Sequence, residues 1–275
     1  MLGIKTALLK NKFCLNGKKA IKKTVNLEWW SESENLGDYL ATVIYSWMLE
    51  RAGIEQNNKI TQTSHLLTVG SILGMGNFDA VVWGSGIHTK ETMANVFQRR
   101  KNRRYDIRLV RGPVTRTILL SAGYSCPKKY GDPAILMPRI YNVDIHKKYK
   151  VSLIEHISKK NFPKRHGINY INIATRDYKT FIDEIRASEY IISSSLHGII
   201  LAETYGVPAV FLAAGMNNEK MKFYDWYLST GRTGIKYASN IEEALSMTPM
   251  KLPLNINEMQ EDVLASFPYD LWDRK

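Results

Sequence analysis

The chain has 275 residues, 44% of them hydrophobic, enough to bury one large core or two ordinary ones. Its formal net charge of +12 asks for an anionic partner, while its two cysteines, Cys14 and Cys126, form neither a metal spacing nor a disulfide framework, so a reducing cytoplasm is expected. No apolar run approaches the roughly 20 residues of a membrane-spanning helix, and the first residues lack a signal-peptide core; the expectation is a soluble or peripheral cytoplasmic protein.

The charge is clumped at Lys18, Lys19, Lys22 and Lys23, at Arg99, Arg100, Lys101, Arg103 and Arg104, and at Lys159, Lys160, Lys164 and Arg165. Clusters of this kind are most often solvated faces, but the excess also suits a phosphorylated substrate, a lipid-diphosphate carrier or an anionic membrane surface. Nucleic acid is not expected, because the aromatic residues do not interleave with the basic ones and no recognition motif is present.

Residues 1–23 are basic and poorly patterned. Val25 to Trp30 reads as the first strand, and Asp38 is placed to cap a helix whose apolar residues Leu40, Val43, Ile44, Trp47 and Met48 share a face before Gly53 closes it. Leu66 to Val69 and Ala80 to Trp83 read as short buried strands. Gly84-Ser85-Gly86 follows the second, either as a strand-ending turn or as a place where a ligand approaches the backbone without meeting a Cβ. It lacks the third glycine of a dinucleotide fingerprint.

Ile107 to Val110 predicts the next strand, with Arg111 at its end and a helix begun by Pro113 and stopped by Gly123. Arg111 there either pairs with a nearby acid or presents its planar fork to a carboxylate or phosphate. The proline-bearing, charged run from Pro138 to Lys150 reads as a linker. Beyond it, Val151 to Ile154 is a strand ending at Glu155-His156, Tyr170 to Ile173 another, and Phe181, Ile182 and Ile185 line a short helix.

Glu189 to Leu212 is the most legible stretch. Tyr190-Ile191-Ile192 is β-rich, Ser193 to Ser195 are turn and cap residues, Leu196, Ile199, Ile200 and Tyr205 recur at helical spacing, and Gly206 and Pro208 end the helix before the strand Ala209 to Leu212. His197 therefore sits in the first turn of a helix, where unpaired N–H groups attract anions. It either packs a turn or serves a site built with Ser194 and Ser195. The segment Asn217 to Gly231 carries Lys220, Lys222 and Asp225 on an expected loop; Lys222 is one more solvated lysine or a point charge reaching toward His197. A helix near Ile256 to Leu264 and the aromatic tail Phe267 to Trp272 should pack. Two runs of alternating strands and helices predict an α/β protein of two Rossmann-like, doubly wound domains, 1–140 and 141–275, facing a cleft.

Four segments occur in the order of a known family: Asn35-Leu36-Gly37-Asp38, Trp83-Gly84-Ser85-Gly86, Arg111-Gly112-Pro113-Val114-Thr115 with Gly131-Asp132-Pro133-Ala134, and Ile192-Ser-Ser-Ser-Leu-His-Gly-Ile-Ile-Leu-Ala-Glu-Thr-Tyr-Gly-Val-Pro-Ala. Together they resemble the polysaccharide pyruvyl transferases. The resemblance implies a GT-B-like arrangement and transfer of pyruvate from phosphoenolpyruvate onto a sugar of a surface polysaccharide or its lipid-diphosphate-linked precursor, without metal or other cofactor. It places Arg111, Ser194, Ser195, His197 and Lys222 at phosphoenolpyruvate, with His197 as the acid–base group, and Asn35, Asp38, Gly84, Ser85, Gly86 and His156 along the acceptor side. Two departures stand out: Ser195 where many members carry arginine before Leu-His, and Glu155 where a proline often precedes the histidine. A metal-independent GT-B glycosyltransferase using a nucleotide sugar and a non-catalytic carbohydrate-binding protein are the competing expectations.

Overall fold

In the computed structural model, which describes residues 11–157, 164–214, 219–252 and 255–273, four short runs pair in parallel in chain order: β1 (Val25–Glu28), β2 (Ser64–Leu67), β3 (Ala80–Trp83) and β4 (Tyr105–Leu109). Leu66, Val81, Trp83 and Leu109 face one side of this sheet and Leu67, Ala80, Val82 and Ile107 the other. Strands apolar on both faces need helices on both faces, which is why they read as short continuous runs. A second parallel sheet holds β5 (Val151–Ile154), β6 (Ile168–Ile171), β7 (Ile191–Ser193) and β8 (Ala209–Phe211) in the order β6-β5-β7-β8. The chain steps outward from β5 to β6 and then returns to the other side of β5, so the sheet changes direction between β5 and β7.

The helices are α1 (Leu36–Arg51), α2 (Lys90–Gln98), α3 (Pro113–Ser121), α4 (Met137–Ile140), α5 (Tyr178–Arg186), α6 (Leu196–Thr204), α7 (Met221–Ser229), α8 (Ile241–Ser246), α9 (Ile256–Ala265) and α10 (Asp270–Asp273), with a buried 3₁₀ turn at Pro133–Leu136. Among the described residues no helix is long and apolar enough to cross a membrane. One apolar core runs through both halves, joining Leu66 and Trp83 of the first sheet to Ile154 and Phe211 of the second through Leu40 and Ile44 of α1 and Ile199 and Ile200 of α6. The first N–H of α1, at Leu36, even donates to the Ile173 carbonyl beyond β6 at 2.9 Å.

The tail reaches across the expected division at residue 140. Instead of staying with the second sheet, it returns to the first: the Trp83 indole donates to the Val263 carbonyl at 3.0 Å, Phe267 packs edge-on against Trp83 at 4.8 Å, and Arg108 pairs with Asp270 at 2.9 Å. The expected linker likewise opens as structure, with Met137 buried at the start of α4. Strand starts were hidden by polar residues. β2 begins at Ser64-His65, because the buried His65 ring bonds the Glu28 carboxylate of β1 at 2.7 Å and so enters the sheet in spite of its polarity. Cys14 joins this pair, the three bringing ligand-type atoms within 4.8 Å of one another, a grouping drawn from three separate segments and so invisible as a spacing. Burial, helped by Glu28, pushes the Cys14 thiol up to about 12, and its sulfur donates to the Asn26 side-chain carbonyl at 3.9 Å, tying the N-terminal segment to β1.

The basic clusters differ in fate. Arg99 donates to the Gly74 and Gly76 carbonyls, Arg103 is buried over the Tyr105 ring, and Arg100 holds the Gly123 carbonyl, so these arginines stitch loops together. Arg165 pairs with Glu242, while Lys159 and Lys160 lie outside the described residues. Lys18, Lys19, Lys22 and Lys23 are exposed.

Candidate active site

A parallel sheet leaves a crevice beyond the carboxyl ends of its strands wherever the strand order reverses, here between β5 and β7. His156 follows β5, and Ser194, Ser195 and His197 follow β7, so the topology alone gathers them. The two loops are tied: the Ser194 hydroxyl accepts the His156 backbone N–H at 2.7 Å, and Ser193 closes the turn by accepting the Ser195 N–H at 3.0 Å. Gly198 lets α6 lie close on the strand, since a Cβ there would come within 2.4 Å of the Ser193 hydroxyl. No side chain caps α6, and Ser195 lines the cleft.

The start of α1 forms the opposite wall. Its cap is Asn35 and not Asp38 as the sequence suggested: Asn35 accepts the Gly37 N–H at 3.1 Å and donates its amide to Asp38 at 2.9 Å, leaving Asp38 inside the first turn. Burial pushes the Asp38 carboxyl up, against the pull of His197, Lys222 and His88. Gly37 meets the imidazole of His197 directly. An added Cβ would stand 2.0 Å from Nδ1. Gly37→Ala should therefore push His197 aside and cut turnover, with little change in Tm because alanine otherwise favours a helix by about 1 kcal/mol over glycine; a normal rate in that variant would show that the ring position is immaterial.

On its other edge the His197 Nε2 lies 3.6 Å from Asp132 Oδ2, and neither atom has a hydrogen-bond partner although both are buried. Asp132 is held for this by its second oxygen, which caps the 3₁₀ turn through the Ala134 N–H at 3.0 Å. The Gly131-Asp132-Pro133 motif thus ends as a carboxylate aimed at the histidine, a role the sequence reading did not assign.

Lys222 comes from α7, not from a loop, and is buried in the cleft wall with its Nζ 3.1 Å from His156 Nε2. Burial, aided by Arg111 and opposed by Glu219 and Asp38, lowers its pKa to about 8. The part of the expected loop from Asn217 to Asn218 lies outside the described residues.

Arg111 takes the ion-pair alternative that the sequence left open beside the anion fork. It is buried, and its donors go to Asp225 (3.1 Å), to the Ser71 hydroxyl (2.6 Å) and to the Ile87 carbonyl (2.8 Å). Asp225 also accepts the Thr115 N–H at 2.9 Å and the Thr115 hydroxyl at 2.6 Å, so a carboxylate from α7 caps α3 where Gly112 has no side chain to do so. Arg111 therefore stands one layer behind the cleft, touching it only through Ser71. Gly84, Ser85 and Gly86 also move out of the expected lining. Gly86 makes room for the Arg111 guanidinium, Gly84 sits at φ +92 against Pro133, and Ser85 donates to the Gly70 carbonyl at 2.9 Å.

The resulting cleft, of about 290 Å³, brings together Asn35, Asp38, His156, Ser195, His197 and Lys222 of the residues singled out from sequence. It adds His88 from the loop after β3, with Ser71, Ser33 and Trp30. His88 could have been suspected, since it follows a strand end as His156 does; Ser33 and Trp30 carry no such mark.

Residues 35–215 match the polysaccharide pyruvyl transferase family, a span that holds every cleft residue named here except Trp30, Ser33 and Lys222. The chain is 27% identical over 207 residues to an uncharacterized protein of Acanthamoeba polyphaga mimivirus, covering 68% of this chain and 69% of that one. It is also 27% identical over 218 residues to the succinoglycan biosynthesis protein ExoV of Rhizobium meliloti, covering 74% of this chain and 64% of ExoV, a little under two thirds of its length. Among solved structures, an uncharacterized protein of Klebsiella pneumoniae subsp. pneumoniae superposes with a TM-score of 0.50 at 12% identity, over 82% of this chain and 90% of the other, a likeness of fold alone. With well over half of its residues matched, the chain belongs to the polysaccharide pyruvyl transferase family.

Proposed function

We propose that the cleft transfers pyruvate from phosphoenolpyruvate onto two hydroxyls of one sugar in a surface polysaccharide or its lipid-linked precursor, forming a ketal between two domains arranged as in GT-B enzymes. The observation that carries this reading is His197, gripped between Asp132 and Gly37 at the sheet's reversal and beside the cationic Lys222. Ketal formation begins with a proton delivered to the methylene carbon, which leaves a cationic carbon for the first hydroxyl to attack. Phosphate then departs and the second hydroxyl takes its place. One hydroxyl proton ends on the new methyl group and the other leaves with phosphate, so a single acid–base group can serve the whole sequence. Histidine, with an ordinary pKa of about 6.5, suits both directions near neutrality. The test is phosphate release from phosphoenolpyruvate with candidate glycan acceptors; stabilisation by nucleotide sugars and not by phosphoenolpyruvate would favour a glycosyltransferase instead.

Lys222 gives the reading a pH signature. Facing Glu219, Arg111, Asp38 and His156, it loses its charge as pH rises through about 8, so phosphoenolpyruvate affinity should decline over that range and Lys222→Met should flatten the profile. The stability effect has the opposite sign. Because the folded state holds this proton less tightly than the unfolded chain, the destabilisation is full below about 8 and is relieved as pH climbs toward the ordinary lysine value.

A lipid-linked acceptor would place the enzyme at a membrane surface. The exposed Lys12, Lys18, Lys19, Lys22 and Lys23 surround exposed Phe13 and Ile21 in a segment bridged antiparallel at Phe13 and Lys19, a charged and apolar mixture that suits anionic headgroups. Anionic vesicles should retain the protein at low salt and release it as the screening length shrinks toward about 8 Å at physiological ionic strength; indifference to lipid charge would leave these lysines as a solvated face.

A further inference from the structure

We propose that His88, His156 and Lys222 form a phosphoryl-binding subsite in which the carboxylate of Glu219 sits as a displaceable stand-in for the substrate's phosphate. This deepens the pyruvyl transfer reading by naming the groups that take the phosphate, and it rests on a different observation. Glu219 Oε2 lies 3.9 Å from His88 Nε2, 3.7 Å from His156 Nε2 and 3.6 Å from Lys222 Nζ. Each distance is too long for a hydrogen bond of ordinary length. Both Glu219 Oε2 and His88 Nε2 are shielded from solvent without a hydrogen-bond partner. A buried carboxylate oxygen normally collects donors, so three basic groups ringed around an oxygen that none of them reaches mark a place shaped for something else.

The chemistry of the ring selects the guest. A carboxylate offers two oxygens in one plane, whereas a phosphoryl group offers three peripheral oxygens splayed around phosphorus, one for each donor, and up to twice the charge. The three donors come from the loop after β3, the loop after β5 and helix α7, so a phosphate there would bridge both sheets. Glu219 is held ionised, with its pKa lowered to about 2, the side chain of His88 being the largest cause and Lys222 and His156 adding to it against partial burial. The subsite also supplies the Lys222 ammonium and two imidazoles to a cleft that has Ser195 where many family members carry arginine.

Calorimetric titration with inorganic phosphate, phosphoenolpyruvate and pyruvate tests this without requiring turnover. Glu219→Gln and Glu219→Ala, both at a partly exposed position that should not govern folding, are expected to bind inorganic phosphate at least about tenfold more tightly than the parent, because a like charge is removed from its seat. His88→Ala should weaken phosphate about tenfold, and pyruvate should bind all forms weakly. Unchanged or weaker phosphate binding in both Glu219 variants would overturn the proposal, making Glu219 a member of the site and not its occupant; unchanged binding in His88→Ala would do the same for the three-donor ring. Phosphate binding that behaves as expected in a protein that releases none from phosphoenolpyruvate would keep the subsite and sink the pyruvyl transfer reading.

Discussion

Replacing His197 with glutamine is expected to lower turnover roughly 10²–10⁴-fold, the usual worth of general acid–base catalysis, while leaving the fold and most of the phosphoenolpyruvate affinity in place. Glutamine keeps the approximate length and a hydrogen-bonding end, so what it removes is the ability to give and take a proton near neutrality. The loss should appear in kcat and kcat/KM together, because the proton transfer is made only in the transition state. Near-normal turnover in His197→Gln would transfer the assignment to His156, whose imidazole shares the same cleft.

Asp132 supplies a finer test of the same machinery. It does not line the cleft, and its only route to the reaction is the 3.6 Å approach to His197 Nε2. A carboxylate there fixes the ring's orientation and favours a proton on the nitrogen that faces it, as second groups behind catalytic histidines do. Asp132→Asn preserves the oxygen that caps the turn at Ala134 but removes the charge. The expected result is a drop in kcat at nearly constant KM, with a shifted pH–rate profile. A purely structural Asp132 would instead lower Tm and leave that profile where it was.

Which parts of this were legible follows from the range of each interaction. The sequence marks around Glu189 to Leu212 are local: a β-rich run, three serines, a helical period, then Gly206 at φ +74. Each acts within a turn of its neighbours, and the structure follows them to within a residue or two. Asp38 was misassigned because two cap-type residues three positions apart, Asn35 and Asp38, compete for the same helix start, and sequence cannot show which one turns its oxygen onto a first-turn N–H. For Arg111 the sequence left two readings open, an ion pair with an acid or a grip on the substrate, and the choice between them is long-range. Its position at a strand end before a helix is a good anion site, and an anion does occupy it, but the anion is Asp225, 114 residues away in sequence and carried in by α7. Long-range pairing leaves no periodicity. The same holds for His65 with Glu28, for Trp83 with Val263, and for Glu219 among its three bases.

Arg111→Ala should consequently behave as a stability variant. Both charged side chains of the Arg111–Asp225 pair are essentially inaccessible, and removal of one partner from such a pair costs about 3–5 kcal/mol because the other is left buried without its counter-charge. For a chain of this size that corresponds to a fall in Tm of roughly 10 °C. The same variant also frees Ser71 and opens the space against which Gly86 packs, so loosening should spread to the loop that carries His88. Asp225→Ala should be at least as costly, since it strips the cap from α3 as well as the partner from Arg111. A double replacement by apolar residues should recover part of the loss, as the buried charge disappears with its partner. Chemical denaturation of the three variants measures these differences directly. Had Arg111 been the hand that holds phosphoenolpyruvate, Arg111→Ala would keep its Tm and lose roughly 2–5 kcal/mol of binding; that outcome would return the arginine to the cleft and leave Asp225 to the cap of α3 alone.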